Sequence, residues 1–338
     1  MPLIGKRKSR KGRRSAGPAA MLIILALAGF AILSSVQDKY GIDLGIPEVP
    51  SIQVMAQGWL GLVDSFLGES PTASTVVSPD AFDDVRVHFI DVGQGKSILI
   101  QTKSGNALID AGERDRGEAV TAYLRRQGVR ELDFLIATHP HSDHIGGMGH
   151  VLQSMNVGMI IMPVIPQEVS HTTRTYTDLL TAIDRAGKSV TAAKPGDVYE
   201  LGVNSGISIT ILGPVETYND VNNHSVVSRL DYGEVSFLFT GDIEAWGERD
   251  VAKSGQRLRA NVLDVAHHGS QTSSTDEFLR AVRPQIAVIS CGMDNSYGHP
   301  ARDAVERLRE SGAQVLRTDL NGTVVVSTNG REIHIDTQ

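Results

Sequence analysis

Hydrophobic and polar positions along this chain follow two periods in turn, and each change of period marks an element. From residue 85 the pattern is that of strands. Val85-Arg86-Val87-His88-Phe89 alternates, Ile98-Leu99-Ile100-Gln101 opens with an apolar run, and Asn106-Ala107-Leu108-Ile109 leads into Asp110-Ala111-Gly112. Residues 115–127 carry helical spacing, and Leu132-Asp133-Phe134-Leu135-Ile136-Ala137 reads as a buried strand. Beyond it the spacing predicts a strand near 158–163, a helix near 173–186 and strands near 206–212, followed by strands at Val226 to Leu230, Phe237 to Phe239 and Val262 to Val265. Strand and helix alternate again through Ile286 to Ser290 and Pro300 to Arg309. A hairpin closes the pattern, with Asn329-Gly330 turning between Val324-Val325-Val326 and Ile333-His334-Ile335. Strands interleaved with helices define an α/β protein.

Several of these apolar runs stop abruptly at residues that carry chemistry. The strand ending at Ala137 is followed by Thr138-His139-Pro140-His141-Ser142-Asp143-His144-Ile145-Gly146-Gly147, three imidazoles and a carboxylate within six positions. Phe237-Leu238-Phe239 runs into Thr240-Gly241-Asp242, and Val262-Leu263-Asp264 into Val265-Ala266-His267-His268-Gly269-Ser270. Strand ends deliver side chains to one edge of a sheet, so these segments predict one site assembled from several loops. Imidazole nitrogens with carboxylate oxygens suit a borderline divalent metal such as zinc. The rival reading is a polar loop with incidental histidines, against which the fixed H-x-H-x-D-H spacing argues. Val92-Gly93-Gln94-Gly95-Lys96-Ser97 superficially resembles a phosphate-binding loop. A Walker A motif needs glycine where Ile90 stands and a helix where Ile98-Leu99-Ile100 reads as strand, so a tight turn between two strands is expected instead.

The N-terminal region changes the picture. Lys6-Arg7-Lys8-Ser9-Arg10-Lys11-Gly12-Arg13-Arg14 precedes uncharged sequence from Ser15 to Gln37, long enough for a helix across the roughly 30 Å hydrocarbon layer. The expected organisation is a basic cytoplasmic tail (1–14), a transmembrane anchor (15–37), a stalk (38–84) and a catalytic body (85–338) on the far side of the cell membrane. A cleaved signal peptide is the alternative, and a basic nucleic-acid-binding arm a third reading. Trp59 to Phe66 in the stalk would rest on the membrane surface or pack on the body as a short helix. Of the 338 residues 41% are apolar and 21% charged, values of a chain with a sizeable core. The formal charge of -7 is uneven. Seven basic and no acidic residues lie in the first 36, leaving 25 basic against 39 acidic, a net of -14 on the remainder. Such a body does not bind nucleic acid tightly through overall charge, although a local basic groove would suffice. The single cysteine, Cys291, excludes a disulfide framework and a Cys-rich zinc module.

At these motifs the chain resembles the metallo-β-lactamase superfamily. Within it, the similarity is to the hydrolase domain of the ComEC family of DNA-uptake competence proteins. It runs from about Val85 to the end and rests on Phe89-Ile90-Asp91-Val92-Gly93-Gln94-Gly95, Thr138 to Gly147, Asn222-Asn223-x-Ser225, Thr240-Gly241-Asp242, His267-His268-Gly269-Ser270 and Tyr297-Gly298-His299-Pro300. The resemblance implies an αββα sandwich with two divalent metals, zinc or manganese, at one edge of the paired sheets. His139 and His141 would hold the first metal, Asp143 and His144 the second, Asp242 would bridge, and His268 would supply the last imidazole in preference to His267. Many relatives add a third histidine to the first metal; here His224 stands nearest that position, in Asn222-Asn223-His224. Lys96 stands where this branch usually has Asp, a departure expected to alter substrate contacts without touching the metals. Asp91, Gln94, His267 and Ser270 are candidate substrate contacts.

Asp143 is the expected proton acceptor for the attacking water. His299 would bind the scissile group or protonate the leaving oxygen, unless it only caps the following helix. The expected activity is metal-dependent hydrolysis of a phosphodiester in DNA or RNA outside the cytoplasm. The alternatives are hydrolysis of a small ester, thioester or lactone, and a catalytically weak binding or assembly module.

Overall fold

The computed structural model describes residues 84–169 and 173–338. The expected tail, anchor and stalk as far as residue 83 lie outside the described residues. Among the described residues no helix is long and apolar enough to cross a membrane.

The chain lays down one sheet, then a second, and returns to the first. Strands β1 (Val85–Phe89), β2 (Ile98–Thr102), β3 (Asn106–Ile109), β4 (Glu131–Ile136), β5 (Asn156–Met162) and β6 (Val190–Ala192) come first. The second sheet follows as β7 (Val198–Glu200), β8 (Ser208–Gly213), β9 (Val227–Tyr232), β10 (Val235–Phe239), β11 (Val262–Asp264), β12 (Ile286–Ile289) and β13 (Gln314–Arg317). Finally β14 (Val324–Thr328) and β15 (Ile333–Thr337) return, so the first sheet is ordered β15-β14-β1-β2-β3-β4-β5-β6 and the second β13-β12-β11-β10-β9-β8-β7. Both sheets are mixed. β3 through β6 and β10 through β13 are parallel neighbours, while β1 pairs antiparallel with β2 and β14.

Three apolar layers explain why the strands read as nearly unbroken hydrophobic runs. Val87, Phe89, Ile100 and Ile109 from one sheet meet Ile209, Leu230, Phe237 and Phe239 from the other in a central core. Outward side chains of the first sheet, such as Leu99 and Leu108, pack on Val120, Leu124, Val151 and Ile183 from helices Gly117–Arg126, Met148–Ser154 and Arg174–Arg185. Leu238, Leu263 and Ala287 on the second sheet's outer face cover Val251, Phe278 and Leu308 from helices Ala245–Lys253, Asp276–Val282 and Arg302–Glu310. Strands buried on both faces need apolar residues at every position. The result is an αββα sandwich.

Five helices (142–145, 148–154, 245–253, 276–282 and 318–321) and the short strands β6, β7 and β13 are not marked by the hydrophobic periodicity of the sequence. Of these, 276–282 had a local signal: Thr275 caps Phe278 N, and Asp276 and Glu277 follow in the first turn.

Candidate metal centre

Four chain segments meet where strands of both sheets end. β4 leads into residues 138–144, β10 into Thr240-Gly241-Asp242, β11 into a turn bearing His267 and His268, and the β8–β9 connection supplies Asn222 to Ser225. Both His267 and His268 sit at positive φ, 50° and 54°, which turns consecutive side chains in different directions. His268 points inward and is buried, whereas His267 faces Glu244, with Nδ1 3.3 Å from Oε1.

Asp242 is the centre of the arrangement. Its Oδ2 lies 3.2 Å from His144 Nε2, 3.5 Å from His268 Nε2 and 3.8 Å from His139 Nε2. Asp143 Oδ2 is 3.1 Å from His268 Nε2, and His141 Nδ1 is 3.0 Å from His139 Nε2. The far nitrogens are fixed from behind. His144 Nδ1 contacts Asp110 Oδ2 at 2.7 Å, His268 Nδ1 donates to the Ser290 carbonyl at 2.7 Å, and His139 Nδ1 lies 3.1 Å from Thr138 Oγ1. Holding Nδ1 leaves Nε2 of these three rings facing the centre, as metal-ligating histidines require.

The donor set fits divalent ions on two counts. Asp242 Oδ1 is buried without a hydrogen-bond partner, and His144 Nε2 and His268 Nε2 lie 3.2 Å apart. Two triads each converge closely enough for one ion, His139 with His144 and Asp242, and Asp143 with His144 and His268. The carboxylates of the site favour positive charge at His144 and His268. Burial by itself would lower His144 and His268, but the carboxylates of Asp242 and Asp143 outweigh it, raising His144 well above the ordinary range and His268 to about 9. Burial likewise opposes ionisation of Asp242, yet His144 and His268 hold it well below the usual carboxylate range. A cation entering here takes the place of that positive charge.

The centre opens into a cleft of about 390 Å³ lined by Gln94, His141, Asp143, His267, Tyr297 and His299, among others. His299 lies on its wall, its ring 5.5 Å from that of His267, and burial followed by the neighbouring His267 and His268 lowers its pKa. A second groove of about 420 Å³ shares Thr175 with the cleft and is lined by Arg114, Arg174 and Arg185. Its acidic lining residue is Asp178, which pairs with Arg114 and lies 3.8 Å from Arg174.

Four expected residues stand elsewhere. His224 is turned away from the centre: its Nδ1 donates to the Asp220 carbonyl at 2.8 Å and its Nε2 accepts from Tyr218 N at 3.3 Å. Its neighbour Asn223 is a clasp, with Oδ1 accepting from Glu244 N and Gly247 N just past Asp242. Asp91 and Ser270 are absent from the cleft. Asp91 accepts from Gly93 N and so shapes its own turn, and Ser270 braces the His267 turn through its backbone N–H and Thr272. Lys96 corrects the expectation of a substrate contact, because it is fully buried. Its ammonium donates to Asp264 Oδ2 at 2.8 Å and to the carbonyls of Gly241 at 2.9 Å and Val265 at 3.3 Å. Its backbone N–H also donates to the Asp143 carbonyl at 3.0 Å. Gly95 permits that approach, since a Cβ there would lie 2.4 Å from the Asp143 oxygen. Asp110, in the Asp-x-Gly that follows β3, is a further residue of the site, holding His144 Nδ1 at 2.7 Å.

Comparison with known proteins agrees with this geometry. The metallo-beta-lactamase superfamily profile matches residues 90–293. ComE operon protein 3 of Bacillus subtilis is 30% identical over 332 residues, covering 91% of this chain and 39% of that protein. Competence protein ComA of Neisseria gonorrhoeae is 34% identical over 238 residues, 69% of this chain and 31% of that one. More distantly, Exodeoxyribonuclease WalJ of Streptococcus pneumoniae is 24% identical over 213 residues, 59% of this chain and 77% of that one. The chain spans about a third of the length of the two competence relatives.

Proposed function

We propose, from the premise that this chain belongs to the metallo-beta-lactamase superfamily and is related to the ComEC-like competence proteins, that it is a two-metal phosphodiesterase acting on nucleic acid. The observation that carries the reading is the convergence of His139, His144, His268 and Asp143 on Asp242 at the floor of an open cleft. His139 and His141 would hold one ion, Asp143, His144 and His268 the other, with Asp242 between them. Divalent ions in such a pair lower the pKa of water and neutralise charge building on a phosphoryl oxygen.

The chain's own groups supply the rest. Asp143 stays ionised, since His144 and His268 overcome the effect of burial and hold its pKa low, so its carboxylate can accept a hydrogen bond from the attacking water and orient it. With its pKa lowered, His299 is neutral at pH 7 and offers a ring N–H to an oxygen of the scissile group. Lys96 keeps the segments bearing Asp143, Asp242 and His268 in register. Preference for a polyanion is supported by the arginine-lined groove beside the cleft and by a nuclease among the relatives. In the same reading, residues 15–37 anchor the body outside the cytoplasm, which protease added to intact cells would digest.

The test is a substrate panel with the purified chain and zinc or manganese: single- and double-stranded DNA, RNA, bis-aryl phosphate and a lactone. Cleavage of nucleic acid is expected. Turnover of the lactone without any phosphodiester cleavage would assign the site to small esters, and no turnover with metals bound would make it a binding module.

A further inference from the structure

Tyr297 stands at the mouth of the cleft with 69% of its surface exposed. Among the described residues Trp246 is the other strongly exposed aromatic, and the Arg249 guanidinium covers it at 4.2 Å. Tyr297 is presented differently. Its ring lies nearly parallel to His299, 10° between planes and 5.9 Å between centroids, and His299 lies 26° and 6.3 Å from His268. Three rings thus step outward from the metal centre to solvent.

The loop that carries the ring is braced. Asn295 donates to the carbonyls of Gly292 at 2.9 Å and His299 at 2.5 Å, and accepts from His299 N at 3.0 Å. The ring is thus held at the mouth of the cleft, in line with His299 and the metal centre, with its outer face open to solvent. Flat aromatic faces are the usual platforms for unpaired bases, which stack regardless of sequence, whereas a base within a duplex has both faces covered.

We propose that Tyr297 is a stacking platform for an unpaired nucleobase adjoining the scissile phosphate, which makes single-stranded nucleic acid the preferred substrate class. The proposal rests on the phosphodiesterase reading of the same site. It assigns Tyr297 to specificity rather than to bond breaking.

The experiment compares a fluorescent oligothymidylate with an abasic oligonucleotide of equal length. Binding is measured on the full chain in chelator, where cleavage is suppressed, and kcat/KM with manganese. Stacking contributes about 1–3 kcal/mol per base, so Tyr297→Ala should weaken oligothymidylate binding about 5- to 150-fold. Abasic binding should stay unchanged, and Tyr297→Phe should match wild type on both ligands. Equal loss on both, no loss on either, or duplex bound as tightly as single strand would overturn the proposal. The two readings fail separately: if wild type cleaves both oligonucleotides and Tyr297→Ala does so equally well, the platform falls and the phosphodiesterase stands, whereas wild type cleaving neither removes the function itself.

Discussion

Replacing Lys96 with Met keeps the bulk of the side chain and removes an ammonium shared by three segments around the candidate metal centre. Lys96 and Asp264 are both fully buried, 2.8 Å apart, and Asp264 Oδ1 already lacks a partner. The variant leaves a buried carboxylate with Thr240 N, at 3.3 Å, as its remaining donor to Oδ2, and strips a donor from the Gly241 and Val265 carbonyls. Breaking a buried ion pair from one side costs about 3–5 kcal/mol, a large part of the roughly 5–15 kcal/mol by which a domain is stable. In urea the midpoint should fall with the slope unchanged.

Adding Asp264→Asn removes the orphaned charge, so the double variant should recover a large part of the loss. The sign of the pH dependence follows from Asp264. Burial raises its pKa even though Lys96 opposes this, and removing Lys96 raises it further. A carboxyl raised in the folded state costs nothing below its unfolded pKa of about 3.9, and its cost grows as pH rises towards the folded value. Lys96→Met should therefore approach wild type in acid and diverge above it. Wild-type stability of Lys96→Met at pH 7, or a double variant no better than the single, would refute this account.

Other outcomes follow from single residues. His268→Ala should lower bound metal by about one ion per chain in elemental analysis, while His267→Ala, facing Glu244, should retain both; unchanged content in His268→Ala would remove it from the ligand set. Burial holds His88 at about 4, against an ordinary 6.5. The unfolded chain takes that proton first, so stability falls as pH drops from about 6.5 to 4, by roughly 3 kcal/mol at 1.36 per unit. His88→Leu should flatten that interval in urea titrations at successive pH values. Replacing Arg174 and Arg185 with Ala should weaken oligonucleotide binding and reduce the log–log salt slope by about 0.7 per lost phosphate contact. An unchanged slope would remove the groove from the binding path.

The α/β alternation and the loops of the site were legible because the strands are buried on both faces and end in residues that have no place in a core, as Ala137 before Thr138-His139 and Phe239 before Thr240-Gly241-Asp242 show; the sandwich itself came from the family resemblance those motifs carry. Edge strands such as Val198–Glu200, with pattern exposed, half-buried, exposed, carry no such contrast. Residue type does not give side-chain direction, so His224 could be counted with the ligands although both of its nitrogens are held by residues 218–220. Lys96 was misjudged for a related reason. Its partner lies 168 positions away, and a buried lysine reads as an exposed one until that carboxylate is found. Tyr297 was visible as a motif, but its exposure beside His299 exists only in the folded chain.

If divalent ions at Asp242 make this chain a phosphodiesterase, cleavage must depend on them. Titrating manganese or zinc into chelator-stripped protein, while following cleavage of a single-stranded oligonucleotide, tests this most directly. The stripped chain should not cleave, and activity should rise until about two ions are bound, with Asp242→Asn inactive throughout. Cleavage that persists in the stripped chain, or none at any metal loading, would contradict the phosphodiesterase reading.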